Sequence, residues 1–114
     1  MRALVFGILS CLVVAACASP FAASERQYTG VYSESFEHMV FEPRGRDEHW
    51  YTGGSAQIQL RAAAPPGSNL EAGFRVCAKI MGRLSPRGRY GHLGMFAREI
   101  EITQVIDAHP EPCD

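Results

Sequence analysis

The sequence predicts an all-β domain, a small five-stranded barrel with at most one short helix, behind a removable N-terminal leader. Three observations carry this expectation. Apolar and polar residues alternate along several segments with the two-residue period of a half-buried strand. Eleven glycines and seven prolines punctuate the chain and leave few places for a helix. The first sixteen residues stand apart, with a charged start and then an uncharged apolar run. At 114 residues and 46% hydrophobic content the chain makes one small domain, which excludes a two-domain enzyme.

After a lone Arg2, Ala3 to Cys17 read ALVFGILSCLVVAAC. That run is shorter than the roughly 20 residues needed to span a bilayer, and its charged start, apolar middle and small-residue end describe a signal peptide. Val14-Ala15-Ala16-Cys17 resembles the lipobox of bacterial lipoproteins, an aliphatic residue and two small ones before a cysteine. The resemblance implies that Cys17 accepts the lipid and becomes the new N-terminus, so that the membrane is a partner through the acyl chains. Each buried methylene stabilises such an anchor by about 0.8 kcal/mol. Ala16-Cys17-Ala18 also suits ordinary signal-peptide cleavage, which gives simple secretion instead. The expected organisation is a leader over residues 1–16, a tether over 17–27, the barrel over 28–107 and a C-terminal tail over 108–114.

Removing the first sixteen of 114 residues leaves 98, with ten basic and twelve acidic side chains and a formal charge of −2. Such a chain has no global attraction for nucleic acid. Cys11 goes with the leader and Cys17 sits at the cleavage site, so Cys77 and Cys113 are the cysteines left to the folded part. In an oxidising compartment they can bridge and pin the tail to the body, worth about 4 kcal/mol in the chain-entropy model. The alternative is a half-buried Cys77 thiol and a free tail. Neither belongs to a Cys-x-x-Cys pair, which argues against a redox or zinc site.

The first strand is expected around Gly30 to Glu42, where Val31 and Met39-Phe41 are out of step with Phe36 and Val40; a bulge or sharp coil would reconcile the phases. Glu42-Pro43-Arg44-Gly45-Arg46-Asp47 turns the chain into a second strand at His49-Trp50-Tyr51-Thr52. Ala56, Ile58, Leu60 and Ala62 alternate with Gln57, Gln59 and Arg61, which reads as a third strand. Ala63-Ala64-Pro65-Pro66-Gly67 stops it. Ser68 and Glu71 fit a capping box, although Gly73 limits any helix there to about one turn. Phe74, Val76, Ala78 and Ile80 line one face of a fourth strand. Ser85-Pro86-Arg87-Gly88-Arg89 leads to a fifth, in which Ile100 and Ile102 alternate with Glu99, Glu101 and Thr103 before Val105 and Ile106 break the phase. Trp50 and Phe74 are expected in the core, and Tyr90 as the most exposed aromatic.

Three strands, a short helix and two strands are the order of an OB-like barrel. Gly82-Arg83-Leu84-Ser85-Pro86, then Gly88-Arg89-Tyr90-Gly91-His92-Leu93-Gly94 and Arg98-Glu99-Ile100, look like the closing hairpin of small bacterial envelope proteins. Over residues 28–107 the plan is similar to the OB-type domain of NlpE-like envelope lipoproteins. The metal-associated Cys-x-x-Cys of that family is absent here, so the resemblance implies fold and not a copper-related role. A lysozyme-inhibitor-like antiparallel barrel or a small sandwich is the structural alternative.

Arg83, Arg87, Arg89, Tyr90, His92 and Arg98 are the candidate site for an anion or a protein partner. Guanidinium groups pair with phosphate or carboxylate and stack on aromatics. Because export removes the chain from nucleic acid, the available anions are lipopolysaccharide phosphate, acidic glycan or an acidic protein patch. The bland alternative is a solvated turn whose glycines set backbone angles. His38, His49, His92 and His109 lack metal-ligand spacing, so no metal or cofactor is expected. No nucleophile elbow or phosphate-binding glycine loop occurs, and no enzymatic activity is expected. The function expected is that of a lipid-anchored, non-catalytic binding or interaction module of the cell envelope. Its rival is a soluble periplasmic enzyme inhibitor that uses the Arg83–His92 loop.

Overall fold

The structure, a computed structural model, describes residues 24–114. The leader and the expected lipid acceptor Cys17 lie outside the described residues. Strands β1 (Arg26–Ser35), β2 (His38–Pro43) and β3 (Trp50–Gly53) precede helix α1 (Gln57–Ala62), and β4 (Phe74–Leu84) and β5 (Glu99–Pro110) follow it. The strands close into a barrel in the order β1-β2-β3-β5-β4, with β3 and β5 parallel and the other neighbours antiparallel. This is the all-β, OB-like barrel with one short helix.

The expected first strand is two strands. The phase change between Val31 and Val40 marks a chain reversal rather than a bulge: Ser35 pairs with His38, and Glu37 between them takes a left-handed φ of 57°. The barrel also takes in more chain than 28–107, since β1 claims the last two tether residues and β5 runs into the tail as far as Pro110.

The expected third strand is helix α1. Ala56, Leu60, Ala63 and Ala64 are spaced by four, seven and eight positions, so a helical turn puts all four on one side, where they join the core. Leu60 is fully buried while Ile58, its partner in the alternating reading, is 76% exposed. Gln, Leu, Arg and Ala are also good helix formers. The short helix expected at Ser68–Glu71 is instead a turn. The Ser68 hydroxyl donates backward to the Pro65 carbonyl (2.6 Å), and Asn69 Oδ1 accepts the Ala72 N–H (2.8 Å).

The core is filled by Tyr32, Phe41, Trp50, Leu60, Val76, Ala78, Ile80, Ile100 and Ile102, with Phe74 packed against it. Gly30 lets β1 cross close to β2, because a Cβ there would lie 2.1 Å from the Glu42 carbonyl oxygen. Val105 and Ile106 fall out of phase because the β4–β5 register slips between Lys79 and Ile80 and between Met81 and Gly82. Cys77 and Cys113 form a disulfide across 36 residues, with Cα atoms 5.5 Å apart, so the end of the chain is fastened to β4.

Candidate functional site

Two carboxylate–arginine clusters sit at different places on the barrel. The first is internal. Tyr32 and Glu34 share one face of β1, and the Tyr32 hydroxyl donates to Glu34 Oε2 (2.9 Å). Arg61, from α1, closes a forked pair on the same carboxylate through Nε (2.8 Å) and Nη2. Glu34 is only 2% exposed and its acceptors are filled from two sides. Burial, and next the charge of Glu34, raise the Tyr32 phenol above its ordinary range. Glu34 likewise keeps Arg61 protonated more firmly than usual, through its hydrogen bonds first. This cluster ties α1 to β1. A strand over Ala56–Ala62 gives Arg61 no reason to meet Glu34, so the sequence hides this cluster; its one local signal is the polar pair Tyr32 and Glu34, two apart on a face turned inward.

The second cluster surrounds the arm that joins β4 to β5, residues 85–98. Its root is fixed by Ser85, which is fully buried: Ser85 N–H donates to the Glu99 carbonyl (2.9 Å) and Ser85 Oγ accepts the Glu99 N–H (2.8 Å). Arg98 Nη1 donates to the Ser85 carbonyl (3.1 Å). Further out, Tyr90 and Phe96 exchange N–H donors across a short bridge (2.9 and 3.1 Å), and the Tyr90 hydroxyl returns to the Pro86 carbonyl (2.9 Å). The Phe96 ring rests against Tyr51 of β3 and His38 of β2, at 5.7 and 6.5 Å between centroids. Gly91 makes that seating possible, since a Cβ would lie 2.7 Å from the Tyr51 ring. The arm is therefore a hairpin fastened to the outer face of β2 and β3, the face on which OB folds bind their ligands.

Its tip is apolar and held in an unusual backbone. Leu93 has φ 56° and is 82% exposed, and Met95 is 76% exposed. A branched side chain in the left-handed region is uncommon and strained, and here its apolar body gains no burial from it. The six candidate residues do not form one group. Arg87 and Arg98 converge on Glu48, at 3.5 and 3.8 Å. Arg83 stands apart on β4, between Glu25 and Glu101, each at 3.8 Å. Arg89 and His92 are exposed on the arm, while Tyr90 is half-buried by its bond to Pro86. Among the described residues the most exposed aromatic is instead Phe36, 76% exposed in the β1–β2 turn.

Two further residues of this cluster, Arg46 and Glu48, lie outside the six candidates, and the sequence marks Arg46 only as part of a turn. Arg46, from the β2–β3 turn, is 3.7 Å from Glu48 and lies over the Trp50 ring at 5.6 Å. Glu48 thus faces three guanidinium groups, which leaves an excess of two positive charges around one carboxylate. Nearby, Glu99 at the start of β5 has its carboxyl raised above the usual range, by burial first and by Glu101 second. A separate groove of about 570 Å³ runs past Ser33, His38 and Phe74, but its Arg75 is held by Glu111 (3.0 Å) and Glu42 (3.4 Å) and brings no excess charge. Among the described residues no three His, Cys, Asp or Glu side chains converge to hold a metal ion, and no helix is long and apolar enough to cross a membrane.

No protein-family model, curated protein or solved structure matches the chain. The functional reading therefore rests on the geometry of the arm and its surroundings.

Proposed function

We propose that the chain is an exported envelope protein, lipid-anchored through Cys17, whose OB-like barrel is a non-catalytic binding module for an anionic envelope component. The arm carries this reading. Residues 85–98 hold three arginines and a histidine with no carboxylate, and they present exposed Leu93 and Met95 from a barrel whose core is already closed. Exposed apolar groups beside positive charge that Glu48 only partly offsets suit a partner that is anionic and partly apolar. The Cys77–Cys113 disulfide supports an oxidising compartment, and with it export.

The two halves of the proposal separate experimentally. Globomycin blocks the lipoprotein signal peptidase, so unprocessed precursor should accumulate and the mature form should fractionate with membranes. A fully soluble mature form would favour the inhibitor reading. For the binding half, Arg87→Glu with Arg89→Glu should weaken association with anionic envelope components and move the melting temperature little, since both side chains are exposed. Binding that survives both charge reversals would reduce the arm to a connector.

A further inference from the structure

We infer that the end of the barrel where β1 begins binds a phosphate monoester, seated in a hollow among Arg26, Arg46 and Arg98. The inference deepens the binding-module reading, on which it rests for an anionic ligand, and places recognition of the charge on the barrel itself rather than on the arm. The hollow, about 440 Å³, is lined by Ser24, Arg26, Tyr28, Arg46, Leu84 and Arg98. A second of about 480 Å³ adjoins it through the shared Arg26, Tyr28 and Arg46. No aspartate or glutamate lines either one, whereas the groove past Ser33 takes in Glu42 and Glu111. Arg26 forms no ion pair among the described residues. Glu48, 3.7 Å from Arg46 and 3.8 Å from Arg98, offsets one of the three charges and is itself shared with Arg87.

The donors are placed in advance. Trp50, 1% exposed, lies under the Arg46 guanidinium at 5.6 Å and meets the Tyr28 ring edge-on at 5.1 Å, so two walls of the hollow are braced on one buried indole. Arg98 is anchored through Nη1 to the Ser85 carbonyl (3.1 Å), and its Nε is buried with no acceptor at hydrogen-bond distance. A buried donor left short costs free energy that an oxygen arriving beside it recovers. The charge count selects the ligand class. Three guanidinium groups less one carboxylate leave two positive charges, and a phosphate monoester brings close to two negative ones on three acceptor oxygens. A carboxylate or a phosphodiester brings only one. An acidic protein face would spread single charges over a surface and leave the hollow unfilled.

Trp50 is the chain's single tryptophan, so its indole N–H gives one resolved NMR resonance beside the hollow. The full chain, with Cys77–Cys113 intact, is titrated with glucose 1-phosphate and, at equal ionic strength, with acetate and dimethyl phosphate. The monoester should move that resonance saturably and bind on the order of tenfold more tightly than either monoanion. Arg26→Gln and Arg46→Gln should each weaken it on the order of tenfold, while Arg75→Gln, whose residue pairs with Ser33 towards the other end of β1, should leave it unchanged. Arg26 is exposed, so its substitution leaves the fold intact even where that of Arg46 disturbs Trp50. Vesicles carrying phosphatidic acid distinguish the source of the ester. Association that Arg26→Gln abolishes assigns the hollow to a lipid-borne monoester as well as a free one, and no association assigns it to soluble esters; both uphold the site. A resonance that does not move, equal affinity for acetate, or affinity indifferent to Arg26 overturns the inference. The binding-module reading is tested separately, through Arg87, Arg89 and envelope material, so either can fail while the other stands.

Discussion

Glu34 and Glu48 are both carboxylates held by arginine, yet they serve the molecule in opposite ways. Glu34 is buried, with one guanidinium forked onto it and a phenol filling a further acceptor site. Glu48 is partly exposed and faces three guanidinium groups at 3.5 to 3.8 Å, longer than good hydrogen bonds. The first cluster is saturated, so removing any member costs stability. The second has positive charge left over, so its members are free to act on something outside. Burial and stoichiometry, not residue type, separate a structural ion pair from a binding surface.

The largest effect expected bears on neither cluster. Replacing both members of the disulfide, Cys77→Ser with Cys113→Ser, should lower stability by about 4 kcal/mol in chemical denaturation, as a loop of this length predicts. Arm-dependent binding should survive, because the arm is fastened by Ser85, Tyr90 and Phe96 rather than by the clamp. Loss of binding at full folding would show that the two regions are coupled.

The sharpest contrast is the same substitution at both carboxylates. Glu34→Gln removes the charge inside the barrel and should destabilise by about 2–3 kcal/mol, since one of the two oxygens that accept from Arg61 and Tyr32 becomes an NH2 donor and the guanidinium loses its counter-charge. Glu48→Gln should change stability by no more than about 0.5 kcal/mol and should strengthen association with anionic envelope components, because three arginines lose their internal counter-charge. Equal stability losses would abolish the distinction between the clusters.

A smaller effect concerns pH. The Tyr32 phenol is raised above its ordinary value of 10.0 because burial and Glu34 oppose its ionisation. A folded-state value above the unfolded one gives stability that is complete below pH 10 and is lost as pH climbs from 10 towards the folded value. The native chain should therefore lose stability above pH 10 more steeply than Tyr32→Phe, by up to about 1.4 kcal/mol per pH unit. Below pH 10 the variant should cost about 1 kcal/mol, the worth of one hydrogen bond. Denaturation midpoints taken from pH 7 to 11 would decide both.

Legibility in the sequence followed the range of the interactions. β4 was readable because Val76, Ala78 and Ile80 alternate with Arg75 and Lys79 over a stretch long enough to exclude a helix. Ala56 to Ala62 fits a strand or a helix, because alternation and helical spacing both place Ala56 and Leu60 on one side; the alanines at 63 and 64, which extend that side at helical spacing, distinguish the two. The reversal at Phe36 and Glu37 carried no glycine, proline or asparagine to announce it, and showed only as a phase error. At the candidate site the arginines of the arm were visible, but Arg46 and Glu48 lay about forty residues away, and nothing local ties them to Arg87.

The all-β class, the alternation of β4 and the basic charge of the arm were legible in the sequence alone, because each depends on neighbours within a few positions; five strands around one helix came out right only because the division of the first expected strand offset the loss of the third to α1. Which arginines keep free charge, which carboxylate is sealed inside, and which end of the barrel adjoins the tether were decided by closure of β1 against β4 and of β3 against β5. Those pairings join residues tens of positions apart. Coulomb and solvation energies depend on the distance and burial that such closure sets, quantities that periodicity along a chain does not contain.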